Sequence, residues 1–380
     1  MGQFTPITIE GHINQAVATL LRDVLDKGVV SAVLLPCKQP HQRTVMQTLV
    51  SDPAQLDGID PFAPVVPTNA ARLVAALTHE NDAPVAAVLR SCEVRAFLEL
   101  VKLNQGTVDN LLLIGIDCLG RYENRDFVAL AAQDDDLTAT FLKGSTNGGG
   151  TKSALGTEVA AACRMCEHPV PGSVDVRLCV IGGDPAQQLW VEWVTEKGEK
   201  AREAVGLEAQ DAGPDGRAAA VDKLTKERLA FRDEHLAAMR ERTKDMAGLS
   251  DVVATCINCY NCRVACPVCY CRECVFVTDT FRHEGEKYLR WAMNRGKIKM
   301  PTDTSFYHLT RMLHMSTLCV GCGQCTSACP NDIPVMELFR SVADRTQARF
   351  AYMPGRSLEE PQPLAIFHAE EFDDVTGQVK

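Results

Sequence analysis

The sequence predicts an α/β N-terminal domain with parallel strands, followed by a mainly helical domain built around clustered cysteines. Three observations carry this prediction. Apolar runs alternate with helical periodicity through the first third of the chain. A charged stretch from about residue 195 to about residue 250 then interrupts this pattern. Beyond it, 11 of the 17 cysteines lie in two short runs, Cys256–Cys274 and Cys319–Pro330.

The N-terminal elements follow from local patterns. Apolar side chains recur at three- and four-residue steps from His12 to Lys27, which predicts a helix that ends at Gly28. The apolar run VVSAVLLP then suits a buried strand. Helices are predicted over 69–79 and 93–105, and strands over 84–92 and 109–118. Because strand, helix and strand follow closely, the strands should pair in parallel through right-handed crossovers.

Each cysteine run contains C-x2-C-x2-C-x3-C-P, the spacing with which thiolates bind 4Fe–4S clusters. In proteins with two such runs, the fourth cysteine of one run binds the cluster of the other. The predicted ligand sets are Cys256, Cys259, Cys262 with Cys329, and Cys319, Cys322, Cys325 with Cys266. The alternatives are a zinc ribbon, which uses two C-x2-C pairs, and a disulfide framework, which belongs to short secreted chains.

The segment between the two runs predicts a helical two-cluster domain. Cys266 and Cys319 are further apart than in a compact bacterial ferredoxin, and EGEKYLRWAMNRGKI and FYHLTRMLHMSTL both have helical periodicity. The histidines and methionines of HLTRMLHM are predicted to be core residues rather than ligands.

Four further cysteines suggest a third 4Fe–4S cluster. Cys92 and Cys118 are each predicted at the carboxyl end of a parallel strand, the edge where α/β sheets bind ligands. Cys163 and Cys166 form a C-x2-C pair in ACRMCEHP. The alternative is that Cys92 and Cys118 are small buried apolar residues, as free cysteines often are.

Composition and charge exclude several functions. The N-terminal MGQFTPITIEGHIN has neither the basic segment nor the apolar run of a signal peptide, and no apolar stretch reaches about 18 residues. We therefore expect a cytoplasmic protein without a membrane span, with its cysteines in a reducing compartment. The formal charge of −10 argues against nucleic acid as a partner.

These motifs, in this order, resemble the beta subunits of methanogen-type, F420-dependent formate dehydrogenases, and more broadly of F420-reducing hydrogenases. The similar segments are RSCEVRAFLELVKLNQGTVDNLLLIGIDCLG, CRMCEHPVPGSVDV, CINCYNCRVACPVCYCREC, FYHLTRMLHMSTLCVGCGQCTSACPNDIPV and YMPGRSLEE. The resemblance covers all four cysteines of the third set. It implies an FAD that exchanges a hydride with coenzyme F420, and clusters that carry single electrons to or from a partner catalytic subunit.

Two segments depart from the family pattern. The family's first helix opens with a glycine-rich segment near the flavin, whereas this chain has GHINQAVATLL, with Asn14 and Gln15 where glycines would lie. The family's Asn-Trp-Gly-like segment after the C-x2-C pair is also missing, and Asp175 leads directly through Arg177 and Cys179 into Val180. Side chains at positions 14 and 15 would narrow the approach to the flavin ring.

Two functional hypotheses follow. The first is an oxidoreductase subunit that passes electrons between FAD and F420, or another hydride carrier, and a formate dehydrogenase- or hydrogenase-type partner. The second is a flavin-free electron relay that links a catalytic partner to a heterodisulfide-reductase-like complex. Four regions are predicted: the α/β domain with flavin and one cluster (1–195), a charged linker and solvated helix (196–248), the dicluster domain (249–345) and a C-terminal tail (346–380). Five cysteines have no predicted role: Cys37, Cys179, Cys269, Cys271 and Cys274.

Overall fold

The computed structural model describes residues 2–146 and 156–365. Seven strands form one mixed sheet in the order β1-β7-β6-β5-β4-β2-β3. Its strands are β1 (Gln3–Thr8), β2 (Ala32–Gln39), β3 (Gln42–Val50), β4 (Val85–Arg90), β5 (Leu111–Ile116), β6 (Val176–Cys179) and β7 (Gln188–Trp193). The inner pairs β2/β4, β4/β5 and β5/β6 are parallel, and the outer pairs β1/β7, β6/β7 and β2/β3 are antiparallel.

The helices alternate with these strands and then continue through the C-terminal part. They are α1 (Ile13–Asp26), α2 (Ala71–Thr78), α3 (Ser91–Lys102), α4 (Asn124–Ala131), α5 (Leu137–Thr146), α6 (Ala161–Arg164), α7 (Glu196–Val205), α8 (Arg217–Arg242), α9 (Met246–Val252), α10 (Asn261–Val264), α11 (Gly285–Arg295), α12 (Thr304–Met315), α13 (Gln324–Ser327) and α14 (Val335–Arg349).

The predicted parallel strands are confirmed as β2, β4 and β5. Every residue of β4 and of β5 is buried, because helices cover both faces of the sheet, and this explains why both strands read as continuous apolar runs. Ala86 and Val88 face the core that contains α1. Val85 and Leu89 face a second core, on the side of α3.

The C-terminal helices share this second core with the sheet. Tyr307 of α12 and Phe339 of α14 belong to the same buried cluster as Phe97 of α3. The helices predicted between the cysteine runs are confirmed as α11 and α12. The C-terminal helices α12 and α14 therefore pack on the α2/α3 side of the N-terminal sheet through continuous apolar contacts.

The helix α8 corrects the prediction of a solvated connecting helix. It spans Arg217–Arg242, and it packs against α14 and α6. Three of its side chains are buried: Arg228, Leu236 and Met239. The buried face was missed because it includes an arginine and carries few apolar residues.

The segment that follows α14 crosses back to α3. Tyr352 and Gly355 both donate hydrogen bonds to the buried carboxylate of Glu99, and Arg95 Nε donates to the carbonyl oxygen of Pro354. Gly355 has a φ of +71°, and a Cβ there would lie 2.3 Å from the backbone of Arg95. We call residues 350–362 the C-terminal strap. The remainder of the predicted tail, 366–380, lies outside the described residues.

In the described part of the chain, no helix has the length and apolar character needed to cross a membrane.

Candidate metal centres

Four cysteines from the two separate runs line one cavity, which we call the inner cavity. They are Cys266 from the first run and Cys319, Cys322 and Cys325 from the second. The rest of the lining is mostly apolar: Val268, Met315, Val320, Met336 and Phe339. A cavity walled by four thiols and apolar side chains has the donor set of a 4Fe–4S site.

Local backbone geometry brings the second run close to the third cysteine set. Gly323 has a φ of +79°, and a Cβ at this position would lie 2.4 Å from the Cβ of Ala162, next to Cys163. A side chain would therefore push the two loops apart. The glycines of CVGCGQC allow the thiols of Cys322 and Cys325 to face inward while the loop packs tightly against α6.

The thiols of the inner cavity are buried together, and this burial raises their pKa values. The pKa of Cys266 is raised to about 12, chiefly by burial; Arg311 opposes the shift, and the neighbouring Cys319 thiolate adds to it. Burial raises the pKa of Cys322 to about 12 as well, with Cys266 the next contributor. Bound iron would offset this penalty, because metal ligation deprotonates a coordinating thiol.

The outer set combines Cys256, Cys259 and Cys262 with Cys329. Burial raises the pKa of Cys256, and the nearby thiolates of Cys262 and Cys329 contribute to the shift. The structure thus brings three of the four predicted ligands within electrostatic range of one another. Cys259, the fourth member of this predicted set, is exposed.

One face of α12 contacts the outer cysteines through polar groups. Arg311 Nη1 donates to Cys262 Sγ over 3.1 Å, and Tyr307 Oη lies 3.3 Å from the same sulfur. His308 Nε2 lies 3.4 Å from Cys256 Sγ. Burial, followed by Arg311 and Lys299, lowers the pKa of His308 to about 4, so this ring is neutral at pH 7. The prediction of a core position is confirmed for His308 but wrong for His314, which is exposed, and the contacts of His308 to sulfur were not predicted.

The third set lies at the carboxyl edge of the parallel strands. Cys118 follows β5 directly, and Cys163 lies in α6. Cys92 lies in the first turn of α3 rather than at the end of β4, because Glu93 accepts a bond from the backbone nitrogen of Arg90 and starts the helix there. Burial raises the pKa of Cys163 to about 11, with Cys118 and Cys166 among the contributors.

The third set and the inner cavity are neighbours. Burial raises the pKa of Cys92 well above its usual value, and the largest charge contribution comes from the Cys322 thiolate of the second run. The three predicted sets therefore follow one another through the protein in the order outer, inner, third.

The arrangement of thiols suits clusters better than single ions. Among the described residues, no three His, Cys, Asp or Glu side chains converge on one metal ion. A zinc site needs four ligands at one tetrahedral centre, whereas the thiolates of a 4Fe–4S cluster surround a larger core. The separated thiols of the inner cavity fit the larger core.

The remaining cysteines divide into two kinds. Cys37 on β2 and Cys179 on β6 are buried, and burial raises the pKa of both thiols. Cys269, Cys271 and Cys274 lie close together beside the inner cavity, since the pKa of Cys269 is raised by burial and then by the other two. Cys271 is exposed.

Two cavities open beside the carboxyl edge of the sheet. The first, which we call the edge cavity, is mainly apolar, with Val45, Val66 and Val88 in its wall and the buried Arg90 and Glu93 at one end. Arg90 Nη1 also lies 3.7 Å from Cys118 Sγ. Arg90 therefore connects the edge cavity with the third cysteine set.

The second cavity is polar and adjoins the departure at the start of α1. Lys38, Arg43 and Asp60 line it. Asn14 is buried beside Asp60, and Gln15 instead accepts a 3.4 Å bond from the backbone nitrogen of His12. Of the two residues that differ from the family pattern, Asn14 and Gln15, only Asn14 is therefore buried in the protein.

Comparisons with known proteins bear on these sites. Residues 252–333 match the family described as 4Fe-4S dicluster domain. The chain is 26% identical over 372 residues to the F420-dependent formate dehydrogenase subunit beta of Methanocaldococcus jannaschii, covering 90% of this chain and 91% of that protein. It is 27% identical over 390 residues to the F420-dependent formate dehydrogenase 1 subunit beta of Methanococcus maripaludis, covering 93% and 94%.

The resemblance inferred from the sequence is confirmed. The chain is similar over nearly its whole length to beta subunits of F420-dependent formate dehydrogenases. Among solved structures, a chain of the F420-reducing [NiFe] hydrogenase complex from Methanosarcina barkeri aligns with a TM-score of 0.47 and 11% identity, over 65% of this chain and 94% of that chain.

Proposed function

We propose that this protein is an electron-transfer subunit that binds three 4Fe–4S clusters and works with a catalytic oxidoreductase subunit. The inner cavity is the observation that carries the proposal. Cysteines from runs more than fifty residues apart line it together, and its walls are otherwise mostly apolar. This is the arrangement that crossed ligation requires.

Each set of cysteines has a defined place in the proposal. Clusters held by these thiolates supply one-electron transfer. Cys256, Cys259, Cys262 and Cys329 form the outer site, in which Cys259 is the exposed ligand. The inner site uses the four cysteines of the inner cavity, and the third uses Cys92, Cys118, Cys163 and Cys166. The exposure of the outer loop makes it the site nearest to a docked electron partner.

For the flavin, we propose the edge cavity as the binding site. Its apolar walls suit a flat aromatic ring, while Arg90 and Glu93 offer polar contacts at one end. The carboxyl edge of parallel strands is also where α/β folds bind such ligands. A bound FAD would supply the conversion between electron pairs and single electrons. Arg90 would then lie between the flavin and Cys118.

The names of the relatives suggest the wider reaction. The two curated relatives are subunits of F420-dependent formate dehydrogenases. By extension, this chain would pass electrons between F420, or another hydride carrier, and a formate dehydrogenase- or hydrogenase-type catalytic subunit.

A flavin-free relay is the second candidate, and one observation favours it. Asn14 is buried where the family pattern has glycine, next to Asp60 in the polar cavity. A side chain at this point takes up space that a cofactor would use. In this candidate the three clusters carry electrons between two protein partners, without hydride chemistry in this chain.

Cofactor analysis distinguishes the two candidates. The protein is purified without oxygen together with the chains that accompany it, and its flavin is released with acid and quantified. About one FAD per chain supports the first candidate. Full iron with no flavin, and no uptake when FAD is supplied, leaves the relay. The identity of the accompanying chains tests the proposed catalytic partner.

A further inference from the structure

Five buried arginines surround the third cysteine set. All five are almost completely hidden from solvent, with exposed fractions between 2% and 8%: Arg90, Arg95, Arg121, Arg228 and Arg340. Arginine is almost never fully buried without a partner, because removing its charge from water costs several kcal/mol. Five of them around one site therefore call for an explanation.

Three of these arginines contact the motif cysteines directly or through the adjoining backbone. Arg90 Nη1 lies 3.7 Å from Cys118 Sγ. Arg228 donates to the carbonyl oxygens of Cys118 and Cys166, over 3.2 and 3.4 Å. Arg340 donates to the carbonyl oxygen of Met165 over 2.9 Å. Their positive charges are thus fixed against the loops that carry the thiols.

The remaining two arginines lie on the side that faces the inner cavity. Arg95 donates to the carbonyl oxygens of Pro354 and Val320, the latter directly after Cys319. Arg121 donates to Ser327 Oγ, between Cys325 and Cys329. These two guanidinium groups therefore contact the backbone and side chains of the second cysteine run as well.

Nearby carboxylates do not balance this charge. Glu123 pairs with Arg121, Glu167 pairs with Arg340, and Glu93 lies beside Arg90. Five arginines against three carboxylates leave a surplus of two positive charges. In the described part of the chain neither Arg95 nor Arg228 has a carboxylate within 4.0 Å, and Arg228 Nε makes no hydrogen bond.

This surplus of positive charge stabilises a buried anion, and it stabilises the anion more when the anion gains negative charge. A cluster held by four thiolates carries net negative charge, and accepting one electron adds another negative charge. Fixed guanidinium groups at this range favour the reduced form, and buried charges are screened less than exposed ones. The outer set has a weaker field of this kind, because Arg311 is its buried cation while Lys299 is exposed. The inner cavity shares the stronger field, because Arg311 lines it and Arg95 and Arg121 contact the second run.

We infer that the buried arginines give the third cluster a higher reduction potential than the outer cluster, so that the third cluster is reduced first of the two. The inference rests on the proposed function, because it requires a cluster on Cys92, Cys118, Cys163 and Cys166. The arginines act as positioning residues for charge and contribute no ligand to iron.

The test is a redox titration followed by electron paramagnetic resonance, with chemical mediators and dithionite as reductant. The third-cluster signal is identified as the one that Cys118→Ser removes. In the wild type this signal should appear at a higher potential than the signal of the outer cluster, which Cys256→Ser removes. In Arg228→Gln the ratio of reduced to oxidised third cluster at a fixed potential should fall about tenfold, which corresponds to 59 mV for one electron.

Matched variants separate charge from structure. Arg228→Lys keeps the charge and should shift the ratio much less than Arg228→Gln. Arg240→Gln removes an arginine from the same helix, where it pairs with Asp344, and should leave the ratio unchanged. If Arg228→Gln loses iron, Arg340→Gln offers the same measurement from the other side of the set.

The outcomes are distinguishable. A wild type with about eight iron atoms per chain lacks the third cluster, which defeats the proposed function before the arginines are considered. A wild type with about twelve iron atoms whose third cluster is reduced after the outer cluster, or whose ratio does not move in Arg228→Gln and Arg340→Gln, overturns this inference and leaves the proposed function standing.

Discussion

Tyr352 Oη donates a hydrogen bond to Glu99 Oε1 over 2.6 Å, and this contact joins the C-terminal strap to α3 of the N-terminal domain. Glu99 is fully buried, and Lys102 Nζ contacts both partners, at 3.2 Å from Glu99 Oε1 and 3.0 Å from Tyr352 Oη. Because hydrogen bonds to charged groups contribute more than neutral ones, this pair should matter for stability.

We therefore predict that Tyr352→Phe lowers the free energy of unfolding by about 1.5–3 kcal/mol at pH 8. Urea unfolding of the anaerobic protein, followed by circular dichroism, measures it. Tyr288→Phe in α11 serves as the control, because that hydroxyl accepts a longer, 3.3 Å bond from the backbone nitrogen of His283. Equal midpoints for wild type and Tyr352→Phe would show that the strap contact adds no stability.

The same residue predicts a dependence on pH. Burial, and then the bond to Glu99, raises the pKa of Tyr352 above its usual value of 10.0. A raised pKa in the folded state means that the contribution is fully present below pH 10 and is lost as the pH rises through the folded value. The stability difference between wild type and Tyr352→Phe should therefore shrink above about pH 10. A difference that grows over this range would contradict the assignment.

Iron content is the second prediction. Three sets of four cysteines require about twelve iron atoms and as many acid-labile sulfides per chain. Cys163→Ser should reduce the iron content to about eight, because the other two sets keep their ligands. Cys179→Ser is the control, since Cys179 is buried on β6 outside the three sets. Unchanged iron in Cys163→Ser would remove the third cluster.

Crossed ligation gives the third prediction. Cys266→Ser should damage the cluster of the inner cavity, which it shares with the second run, and Cys329→Ser should damage the outer one. Paramagnetic resonance spectra can be compared with those of Cys322→Ser and Cys256→Ser. We expect Cys266→Ser to resemble Cys322→Ser, and Cys329→Ser to resemble Cys256→Ser. The reverse pairing would mean that each run binds its own cluster.

The start of α1 gives the fourth prediction, which concerns F420. Replacing Asn14 and Gln15 together by glycine should raise F420-dependent turnover without changing flavin content, because the buried Asn14 side chain is removed. Each glycine in the helix should lower stability by roughly 0.5–1 kcal/mol. The Asn14→Ala, Gln15→Ala variant removes the same side chains but keeps the helix. Turnover that stays at the wild-type level in both variants would show that these side chains do not limit F420.

Much of this architecture was predictable because its signals are local. Apolar runs identified β2, β4 and β5, and helical periodicity identified α1, α11 and α12. The cysteine spacing predicted that Cys266 joins the second run, and the inner cavity has this composition. Strands β1, β3, β6 and β7 were not predicted, since their partly exposed residues give no continuous apolar run.

The arginines around the third set could not be found in the same way. Arg90, Arg121 and Arg228 come from distant parts of the chain, and no spacing connects them. A charged residue in a sequence normally indicates a solvated surface, so each of these arginines would be predicted to be exposed. Only the folded structure shows that α8 delivers Arg228 to the backbone of Cys118 and Cys166.

The composition of the inner cavity also has a consequence during protein synthesis. Cys266 leaves the ribosome 59 residues before Cys325, which at roughly 5–20 residues per second is an interval of roughly 3–12 s. During that interval the seven thiols of the first run emerge without the residues that complete this cavity. Iron delivered early would meet an incomplete set of ligands. The cellular machinery that builds clusters would therefore have to act on nascent chains that extend beyond Cys325. A chain truncated before that point would lack Cys325 of the inner set and Cys329 of the outer set.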